Sequence, residues 1–371
     1  MKKKITLIHY NMVFGGVEKV LLNLLKNLDR EKFQIRLILF EKEGELLKEI
    51  PENVELIFLS KKDESEKNSI ANKIIKNIKN IISYSKQLKN IINEKNEILL
   101  ILNIRYFIIN LSVLNLKNKK IGWFHSTINS DTQTSLIKLN YRLFKQYDII
   151  YNVSKEGKDD FDKALSNLKN KDRVLYNSFD VNKIVEKSFE TLNENNYIVT
   201  VGRLVNSHKG FDILIDAIKK LKDENINVKL IIIGDGPDRN ILENQIKESS
   251  FEKNIIIKGF DENPYKWMRK SNAFILSSNY EGFGLGLVEA LACETPIVST
   301  DCKCGPSEIL NNGEYGVLVP VGDSEALKEG IKKVLLNETL RKELKEKSLK
   351  RALDFSNEKI ISQLEKQILE L

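Results

Sequence analysis

The stretch AFILSSNYEGFGLGLVEALACETPIVST, residues 273–300, decides the fold of its half of the chain. It opens with an apolar run at Ala273–Leu276, passes through a glycine-rich loop into a helix that begins near Leu285, and returns to a β-branched run at Ile297–Thr300. Apolar strands separated by a helix are typical of a parallel sheet that is covered on both faces. The stretch therefore predicts one strand–loop–helix–strand unit.

The same alternation of short apolar runs and amphipathic stretches continues through most of the 371 residues. In the first half we predict a helix at Val17–Leu28 and strands at Ile5–His9, Ile35–Phe40, Ile98–Leu102, Ile121–Phe124 and Ile149–Val153. In the second half we predict strands at Tyr197–Val201, Lys229–Ile233, Ile255–Lys258, Ala273–Leu276, Ile297–Thr300 and Val317–Val319. Two such series predict two doubly wound α/β domains that face a central cleft lined by strand-to-helix loops.

A polar stretch separates the two series. Residues 177–196, NSFDVNKIVEKSFETLNENN, show no strong periodicity, and a new strand follows them directly. Such a stretch is typical of a domain boundary. We therefore expect an N-terminal domain at 1–180 and a C-terminal domain at 195–355.

The composition favours a folded protein from a reducing compartment. The apolar fraction is 42%, and no run reaches the roughly 18 apolar residues of a membrane-spanning helix. The start, MKKKITLIHYNMVFGG, has the charge of a signal peptide, but its apolar run is too short and no small-residue cleavage site follows. The three cysteines, Cys293, Cys302 and Cys304, argue against disulfides and for the cytoplasm, and no histidine cluster accompanies them to bind zinc.

The net charge of +7 suits an anionic partner, and charge alone does not choose among a nucleotide, a phospholipid surface and a nucleic acid. Residues 70–92 form an acid-free amphipathic pattern. One face holds Ile70, Ile74, Ile75, Ile78, Ile81 and Ile82, and the rest holds Lys73, Lys76, Lys79, Lys86 and Lys89. The pattern is either a surface helix packed on the N-terminal sheet or a basic helix in peripheral contact with an anionic membrane.

Two cations stand in one predicted strand-to-helix loop. Arg203 and Lys209 lie in VGRLVNSHKGFD, beside Gly202 and Gly210. Arginine binds a diphosphate through a planar fork and lysine as a point charge. The alternative is a pair of solvated surface cations.

Glycine loops follow two other predicted strands. Gly15 and Gly16 precede a helix start, where free N–H groups favour anions, although a tight turn explains them equally well. Gly234 and Gly236 allow a close backbone approach to a ligand, with a plain turn as the alternative. His125 ends a predicted strand of the first half, where it would project into the cleft, although a lone histidine is often structural.

The opening stretch carries two glutamates. Glu281 precedes the glycine loop, and Glu289 lies about one turn into the following helix. Carboxylates repel a diphosphate but accept hydrogen bonds from sugar and ribose hydroxyls. We therefore expect Gly282–Gly286 to present N–H groups to phosphate and the glutamates to contact the uncharged parts of the same ligand. The alternative is two solvated acids.

Taken in order, GGVEKV, VGRLVNSHKG, IIIGDG, EGFGLGLVE and CGPSEIL resemble the motifs of the retaining glycosyltransferases of family 4, which have the GT-B fold. The order and spacing match over nearly the whole chain and best over Val199–Val319. The two glutamates eight residues apart, with an arginine and a lysine upstream, form the most specific combination. The resemblance implies an α/β fold of two Rossmann-like domains, with a C-terminal helix at 357–371 that crosses back onto the N-terminal domain.

The resemblance also implies roles for single residues. Arg203 and Lys209 would hold the donor diphosphate and support the leaving group. Glu281 would contact donor-sugar hydroxyls and Glu289 the ribose, and His125 matches the family histidine beside the donor sugar. The implied substrate-binding positions around them are Gly15, Gly16, Gly202, Gly234, Gly236, Gly259, Gly282, Phe283, Gly284 and Leu285.

The implied reaction moves a sugar from a nucleoside-diphosphate sugar to a glycan or polyprenyl-linked acceptor of a bacterial surface polysaccharide, at the inner face of the cytoplasmic membrane. A UDP-sugar is favoured over a GDP-sugar. The family attacks the sugar from the face of the leaving group and needs no metal or other cofactor, and we expect no nucleic-acid partner. Asp160-Phe-Asp162, a metal motif in a different glycosyltransferase fold, lies in a predicted helix and is interpreted as a surface acid pair. The alternatives are a nucleotide-sugar epimerase, a phosphorylase or a non-catalytic nucleotide-sugar-binding module.

Overall fold

The structure is a computed structural model that describes residues 2–61, 70–125 and 135–371. The chain divides into two compact units. Unit 1 comprises Met1–Ser178 and Ile360–Leu371, and unit 2 comprises Phe179–Lys359. Each unit has its own parallel sheet.

Unit 1 is a parallel sheet with helices in its crossovers. Its described strands are β1 (Lys3–His9), β2 (Phe33–Leu39), β3 (Glu55–Phe58), β4 (Ile98–Ile101), β5 (Lys120–Phe124), β6 (Ile149–Asn152) and β7 (Asp172–Val174). They lie in the order β3-β2-β1-β4-β5-β6-β7. The order reverses between β1 and β4, and ligands of such sheets bind at the carboxyl ends of the strands beside that reversal.

The described helices of unit 1 are α1 (Gly16–Asn27), α2 (Ile70–Ile91), α3 (Phe107–Ser112), α4 (Ser135–Leu143) and α5 (Lys155–Ala164). The helix α1 buries Leu21 and Leu25 at helical spacing, which fixes its direction over the sheet. The helix α5 begins at a side-chain cap, because Ser154 Oγ accepts a hydrogen bond from the Gly157 N–H.

The helix α2 packs differently from the prediction. Tyr84 and Leu88 are buried in the core of unit 1, which confirms a helix packed on this unit. Ile75, Ile78 and Ile82 are about half exposed, so the predicted isoleucine face does not enter that core over these positions. The side chains of Ile70 and Ile74 lie outside the described residues. No described helix has the length and apolar character that crossing a bilayer requires.

Unit 2 repeats the architecture. Its strands are β8 (Tyr197–Val201), β9 (Lys229–Ile233), β10 (Ile255–Gly259), β11 (Ala273–Leu276), β12 (Ile297–Thr300) and β13 (Val317–Val319). They lie in the order β10-β9-β8-β11-β12-β13, and the reversal falls between β8 and β11. Every named pair is parallel, which confirms the predicted doubly wound sheets.

The helices of unit 2 fill the crossovers. They are α6 (Val181–Ser188), α7 (Asn206–Lys209), α8 (Phe211–Asp223), α9 (Arg239–Glu248), α10 (Tyr265–Lys270), α11 (Leu285–Ala292), α12 (Pro306–Ile309), α13 (Ser324–Leu336) and α14 (Glu338–Ala352). The helix α6 lies inside the stretch that we interpreted as unpatterned. Asp180 caps α6 through the Lys183 N–H. The buried side chains are Val181, Ile184 and Ser188, and a pattern of only two apolar residues over two turns is too short to detect.

The last helix, α15 (Asn357–Glu370), belongs largely to unit 1. Its buried Glu365 accepts hydrogen bonds from the Asp29 N–H and the Lys32 ammonium, each at 2.8 Å. The Lys3 ammonium donates to the Ile368 carbonyl at 2.9 Å. These contacts join Ile360–Leu371 to the first strand and the first helix–strand turn of unit 1.

The eleven strands predicted from apolar runs are all confirmed. The edge strands β3 and β7 were not predicted, because β3 begins with the charged Glu55 and β7 begins with two charged residues, Asp172 and Arg173. Apolar patterning identifies the central strands and the apolar edge strands β10 and β13, and it misses edge strands that begin with charged residues.

Candidate active site

Two loops of unit 2 meet at the carboxyl ends of β8 and β11, the strands on either side of the reversal. The Asn279 N–H donates to the His208 carbonyl at 2.8 Å, and Ser277 Oγ donates to the Lys209 carbonyl at 2.8 Å. Gly210 has φ +58°, and a Cβ there would lie 2.3 Å from the Ser277 carbonyl oxygen. The loops therefore lie too close for any larger residue at 210.

Lys209 and Glu281, 72 residues apart in sequence, form an ion pair in this place. The ammonium lies 2.5 Å from Glu281 Oε1, and Ser278 Oγ donates to the same oxygen at 2.6 Å. The Glu281 side chain is only 10% exposed, so solvent screens this pair less than a surface pair. Burial, followed by the charge of Glu281, raises the pKa of the Cys302 thiol to about 12, so the nearby thiol stays protonated at neutral pH.

Arg203 lies in the same loop but is not drawn into the pair. Its side chain is exposed, and its carbonyl accepts a hydrogen bond from the Val205 N–H at 2.8 Å. Among the described residues, no ion pair holds its guanidinium. Of the two predicted diphosphate cations, the structure holds Lys209 against Glu281 and leaves Arg203 facing solvent.

Glu289 is 93% buried on α11, which agrees with the predicted position near a buried edge. The Tyr265 hydroxyl lies 3.4 Å from Glu289 Oε1. Burial and the neighbouring Glu289 raise the pKa of Tyr265 far above its usual range, so the hydroxyl remains a donor. Gly284 caps α11 with φ +94°, and Leu285 is the first residue of the helix. The Phe283 ring is buried and packs edge-on to the ring of Phe355.

The remaining predicted glycines of unit 2 pack backbone on backbone. A Cβ on Gly234, where φ is +144°, would lie 1.9 Å from the Gly202 carbonyl oxygen. A Cβ on Gly236 would lie 2.5 Å from the Leu204 carbonyl oxygen. Gly259 has a positive φ next to the Arg239 guanidinium. Close loop packing thus accounts for Gly234 and Gly236 without a ligand.

A second cluster lies in unit 1, at the carboxyl ends of β1 and β5. It contains the predicted Gly15, Gly16 and His125, together with two residues that were not predicted, His9 and Glu18. His9 is fully buried, and its Nε2 lies 2.8 Å from Glu18 Oε1. A Cβ on Gly15 would lie 2.3 Å from Glu18 Oε2, so the carboxylate covers this glycine. His9 is the last residue of β1, and His125 directly follows β5. This shared position at the end of a strand was the signal that the sequence offered.

His125 is held as a neutral base. Burial, followed by the proximity of His9, lowers the pKa of His125 to about 3. One ring nitrogen bonds the Leu102 carbonyl, while Nε2 has no partner among the described residues. Because a carbonyl only accepts, the proton sits on Nδ1 and Nε2 presents a lone pair.

The cysteines and the acidic clusters are the other residues that the sequence raised as possible metal ligands. Cys293, Cys302 and Cys304 are buried free thiols. In the part of the chain that the structure describes, one acidic triplet, Glu224, Glu325 and Glu329, has metal-like spacing, and it is exposed and surrounds the Lys328 ammonium. Asp160 and Asp162 lie in α5 as predicted, but their side chains are 14% and 11% exposed and pair with lysines, so they are more buried than a surface acid pair.

Two doubly wound parallel units, with polar clusters where the strand order reverses, define the GT-B class of glycosyltransferase folds. Solved structures share the architecture. Anabaena HepE in complex with UDP and glucose matches with a TM-score of 0.80 at 19% identity over 100% of both chains. A Staphylococcus aureus TarM mutant in complex with fondaparinux, α-GlcNAc-glycerol and UDP matches with a TM-score of 0.78 at 16% identity over 99% of both chains.

Sequence comparison gives the family. Residues 182–351 match the model of the glycosyl transferases group 1 family. A Campylobacter jejuni relative is 32% identical over 99% of this chain and 100% of its own length. It is the N-acetylgalactosamine-N,N'-diacetylbacillosaminyl-diphospho-undecaprenol 4-alpha-N-acetylgalactosaminyltransferase. The chain belongs to the glycosyl transferases group 1 family and is a glycosyltransferase, as the motifs predicted, and the epimerase, phosphorylase and binding-module alternatives receive no support.

Proposed function

We propose that this chain is a retaining, metal-independent transferase that moves a sugar from a UDP-sugar to a glycan or polyprenyl-linked acceptor during bacterial surface glycan assembly. The observation that carries the proposal is the Lys209–Glu281 pair where β8 and β11 end. HepE and TarM, both solved with UDP, support the donor. The Campylobacter relative, whose name specifies a diphospho-undecaprenol-linked sugar, supports the acceptor.

The pair suits the departure of a nucleoside diphosphate. As the bond from the anomeric carbon to phosphate breaks, negative charge grows on the phosphate, and Lys209 with the exposed Arg203 of the same loop would stabilise it. Glu281 would accept hydrogen bonds from hydroxyls of the sugar. Since Glu281 already binds Lys209 at 2.5 Å, sugar and diphosphate would exchange for, or share, an existing ion pair.

The contacts of Glu281 favour a reaction that retains the anomeric configuration of the donor sugar. Its Oε1 already accepts from Lys209 and Ser278, which makes it a poor nucleophile for a glycosyl-enzyme intermediate. The acceptor oxygen would instead bond the anomeric carbon from the leaving-group face, while its proton passes to the departing phosphate. Proton NMR of the product should show the anomeric configuration of the donor, and EDTA-treated enzyme should keep its rate.

The test is a transfer and donor-hydrolysis assay with a panel of UDP-sugars and GDP-sugars. Lys209→Ala should lower turnover by about 10²–10³-fold, the usual effect of removing one group that stabilises developing charge. Lys229→Ala is the matched control, because Lys229 pairs with Glu194 at 2.7 Å elsewhere in unit 2. Equal turnover in the two variants would refute the leaving-group role, and absence of turnover with every nucleotide sugar would refute the donor.

We also propose that α2 binds the anionic inner face of the cytoplasmic membrane. Support comes from Ile75, Ile78 and Ile82, which are 50–51% exposed on a helix that contains no acidic residue from Ile70 to Ile91. The same helix carries Lys79 and Lys86, both exposed. Exposed branched side chains beside cations bind lipid through both burial and charge.

Vesicle co-sedimentation tests this contact. Vesicles of phosphatidylcholine alone should bind the protein weakly, and vesicles that also contain about 30% phosphatidylglycerol should bind it strongly. The anionic surface contributes about 1 kcal/mol for each cation near it. Lys79→Gln with Lys86→Gln should remove the difference. Lys342→Gln with Lys345→Gln on α14 is the matched control on an exposed helix. Equal loss in both double variants would count against α2.

A further inference from the structure

Unit 1 has a pocket between the end of α4 and the segment that follows α5. Lys138, Arg142 and Lys145 line it from the side of α4, and Leu165 and Asn167 line it from the other segment. Its volume is about 270 Å³. Pockets for drug-sized ligands hold about 300–1,000 Å³, so this one suits a small group and not a whole nucleotide sugar.

The three cations lie on one face of the chain. They follow one another after four and three residues, and residues at these distances are neighbours on a helix surface. The stretch SLIKLNYRLFKQ, residues 135–146, contains no acidic residue. In residues 2–61, 70–125 and 135–371, no carboxylate forms an ion pair with any of the three. Three like charges on one face repel one another, and a bound anion would relieve that repulsion.

An exposed helix of unit 2 shows the ordinary arrangement of such charges. On α14, Lys347 lies 2.8 Å from Glu343, and Lys342 lies 4.0 Å from Glu346. Opposite charges four residues apart support a solvated helix. The end of α4 lacks such partners among the described residues, so a solvated helix face does not account for its three cations.

The rest of the lining adds hydrogen-bond donors. Burial raises the pKa of Tyr141, so its hydroxyl stays protonated and able to donate. The Asn167 amide is a second neutral donor. Nearby, the Lys171 ammonium donates to the Lys145 carbonyl at 2.9 Å, which brings a fourth positive charge close to the pocket. Donors and positive charge together select a ligand with several anionic acceptor oxygens, and phosphate is such a group.

The pocket and the polar cluster described above lie at opposite edges of the unit 1 sheet. The chain enters β6 shortly after Lys145, and it enters β7 at Asp172 directly after Lys171. The contact between Lys145 and Lys171 therefore marks the amino ends of these two strands. The polar cluster lies at the carboxyl ends of β1 and β5, and the strand pairs of this sheet are parallel. The pocket is thus separate from the candidate active site.

We propose that Lys138, Arg142 and Lys145 bind a phosphate group at a site of unit 1 that is separate from the candidate active site. Arg142 would hold two oxygens through its planar fork, and the two lysines would add point charges. Two sources carry this chemistry: the headgroup of an anionic lipid, and phosphate or diphosphate in solution. Leu139 is 44% exposed next to Lys138, which offers the lipid source an apolar contact beside the pocket. The site does not depend on the proposed function.

Calorimetric titration with inorganic diphosphate tests the site, with saturating UDP present to occupy the proposed donor site. The pocket variant, Arg142→Gln with Lys145→Gln, should weaken diphosphate binding about tenfold or more, because hydrogen bonds between charged groups are lost. Arg142→Lys keeps the charge without the fork and should weaken binding less. The control variant is Lys95→Gln with Lys117→Gln, because both lysines are exposed in unit 1 and lie outside the pocket lining. Circular dichroism checks that each variant is folded.

Vesicle co-sedimentation separates the two sources. The vesicles contain phosphatidylglycerol, and every protein carries Lys79→Gln and Lys86→Gln, so that these two cations of α2 do not contribute. Weaker sedimentation of the pocket variant than of the control variant identifies the lipid headgroup. Equal sedimentation, with weaker diphosphate binding in the pocket variant alone, identifies phosphate in solution. If neither assay distinguishes the pocket variant from the control variant, the proposal is overturned.

Discussion

The clusters of units 1 and 2 both lie at the carboxyl ends of strands near the reversal of strand order, and they differ in how their polar atoms are satisfied. In unit 2, Lys209 and Ser278 both bind one oxygen of Glu281. In unit 1, the fully buried His9 and the partly buried His125 each keep a buried ring nitrogen without a partner among the described residues. A ligand of the first cluster must compete with an existing ion pair, whereas a ligand of the second would meet ring nitrogens that no described residue occupies.

The largest effect is expected when the Lys209–Glu281 ion pair of the unit 2 cluster, the paired cluster, is broken. Glu281→Gln leaves Lys209 without its carboxylate and weakens the contact to sugar hydroxyls, so we expect turnover at saturating donor to fall about 10²–10³-fold. Thermal unfolding of the variant checks that the loss of turnover is not a loss of folding. Glu194→Gln, which breaks the pair with Lys229, is the control for loss of an equivalent surface contact. Turnover near wild type in Glu281→Gln would contradict the comparison.

A second effect tests whether backbone packing holds the paired cluster in place. Gly234→Ala puts a methyl group 1.9 Å from the Gly202 carbonyl oxygen at φ +144°, and we expect a loss of about 2–3 kcal/mol in the free energy of unfolding. Gly322→Ala is the control, because φ is also positive there but nothing lies within 4 Å, and about 1 kcal/mol of backbone strain remains. Urea unfolding measures both, and equal losses would show that close packing is not the cause.

The third effect concerns His125 of the unit 1 cluster and its response to pH. The folded pKa of His125 is about 3, below its unfolded value of 6.5, so the unfolded state binds the extra proton between these pH values. This contribution to stability is therefore present above pH 6.5 and lost as the pH falls towards 3, by up to about 1.4 kcal/mol per pH unit.

His125→Asn should flatten that dependence in urea unfolding at pH 5 and 7.5. Comparing variant with wild type cancels other groups, such as Asp172, whose pKa burial raises to about 7. Identical slopes in the two proteins would mean that His125 is not buried as a neutral base.

The smallest effect removes one contact from Glu289. Tyr265→Phe deletes the hydroxyl 3.4 Å from the buried carboxylate, and we expect the Kd for UDP to rise about three- to tenfold, with turnover at saturation unchanged. Calorimetric titration of UDP provides the measurement. Tyr280→Phe, at an exposed tyrosine, is the control. An unchanged Kd would place Glu289 outside the nucleotide contact.

The sequence allowed the central fold and part of the site to be predicted. Continuous apolar strands and glycine-rich loops have strong local signals, so all central strands and the start of α11 at Leu285 are correct. The approach of Lys209 to Glu281 was implied by the rule that parallel strands present their loops at one edge. Short or charged elements such as β7 carry no such signal.

The missed residues depend on tertiary packing. Ser278 and Tyr265 act through single contacts with the predicted glutamates, and a serine or tyrosine in a loop or on a helix is unremarkable in sequence. His9 is distinguished only by its burial and by its contact with Glu18, which lies nine residues later in the chain. The exposure of Ile78 and Ile82 likewise depends on which side of α2 meets the core, and isoleucines line more than one side of that helix.

The attachment of Ile360–Leu371 to unit 1 has a consequence for synthesis. The ribosome delivers residues 1–178 first, but the helix that supplies Glu365 to Asp29 and Lys32 emerges only after all of unit 2 has been translated. At about 5–20 residues per second, the nascent first unit waits roughly 10–40 seconds for this segment. During that interval the surface of unit 1 that this segment covers is exposed and available to chaperones. Unit 2 is contiguous in sequence, so it can fold as it emerges.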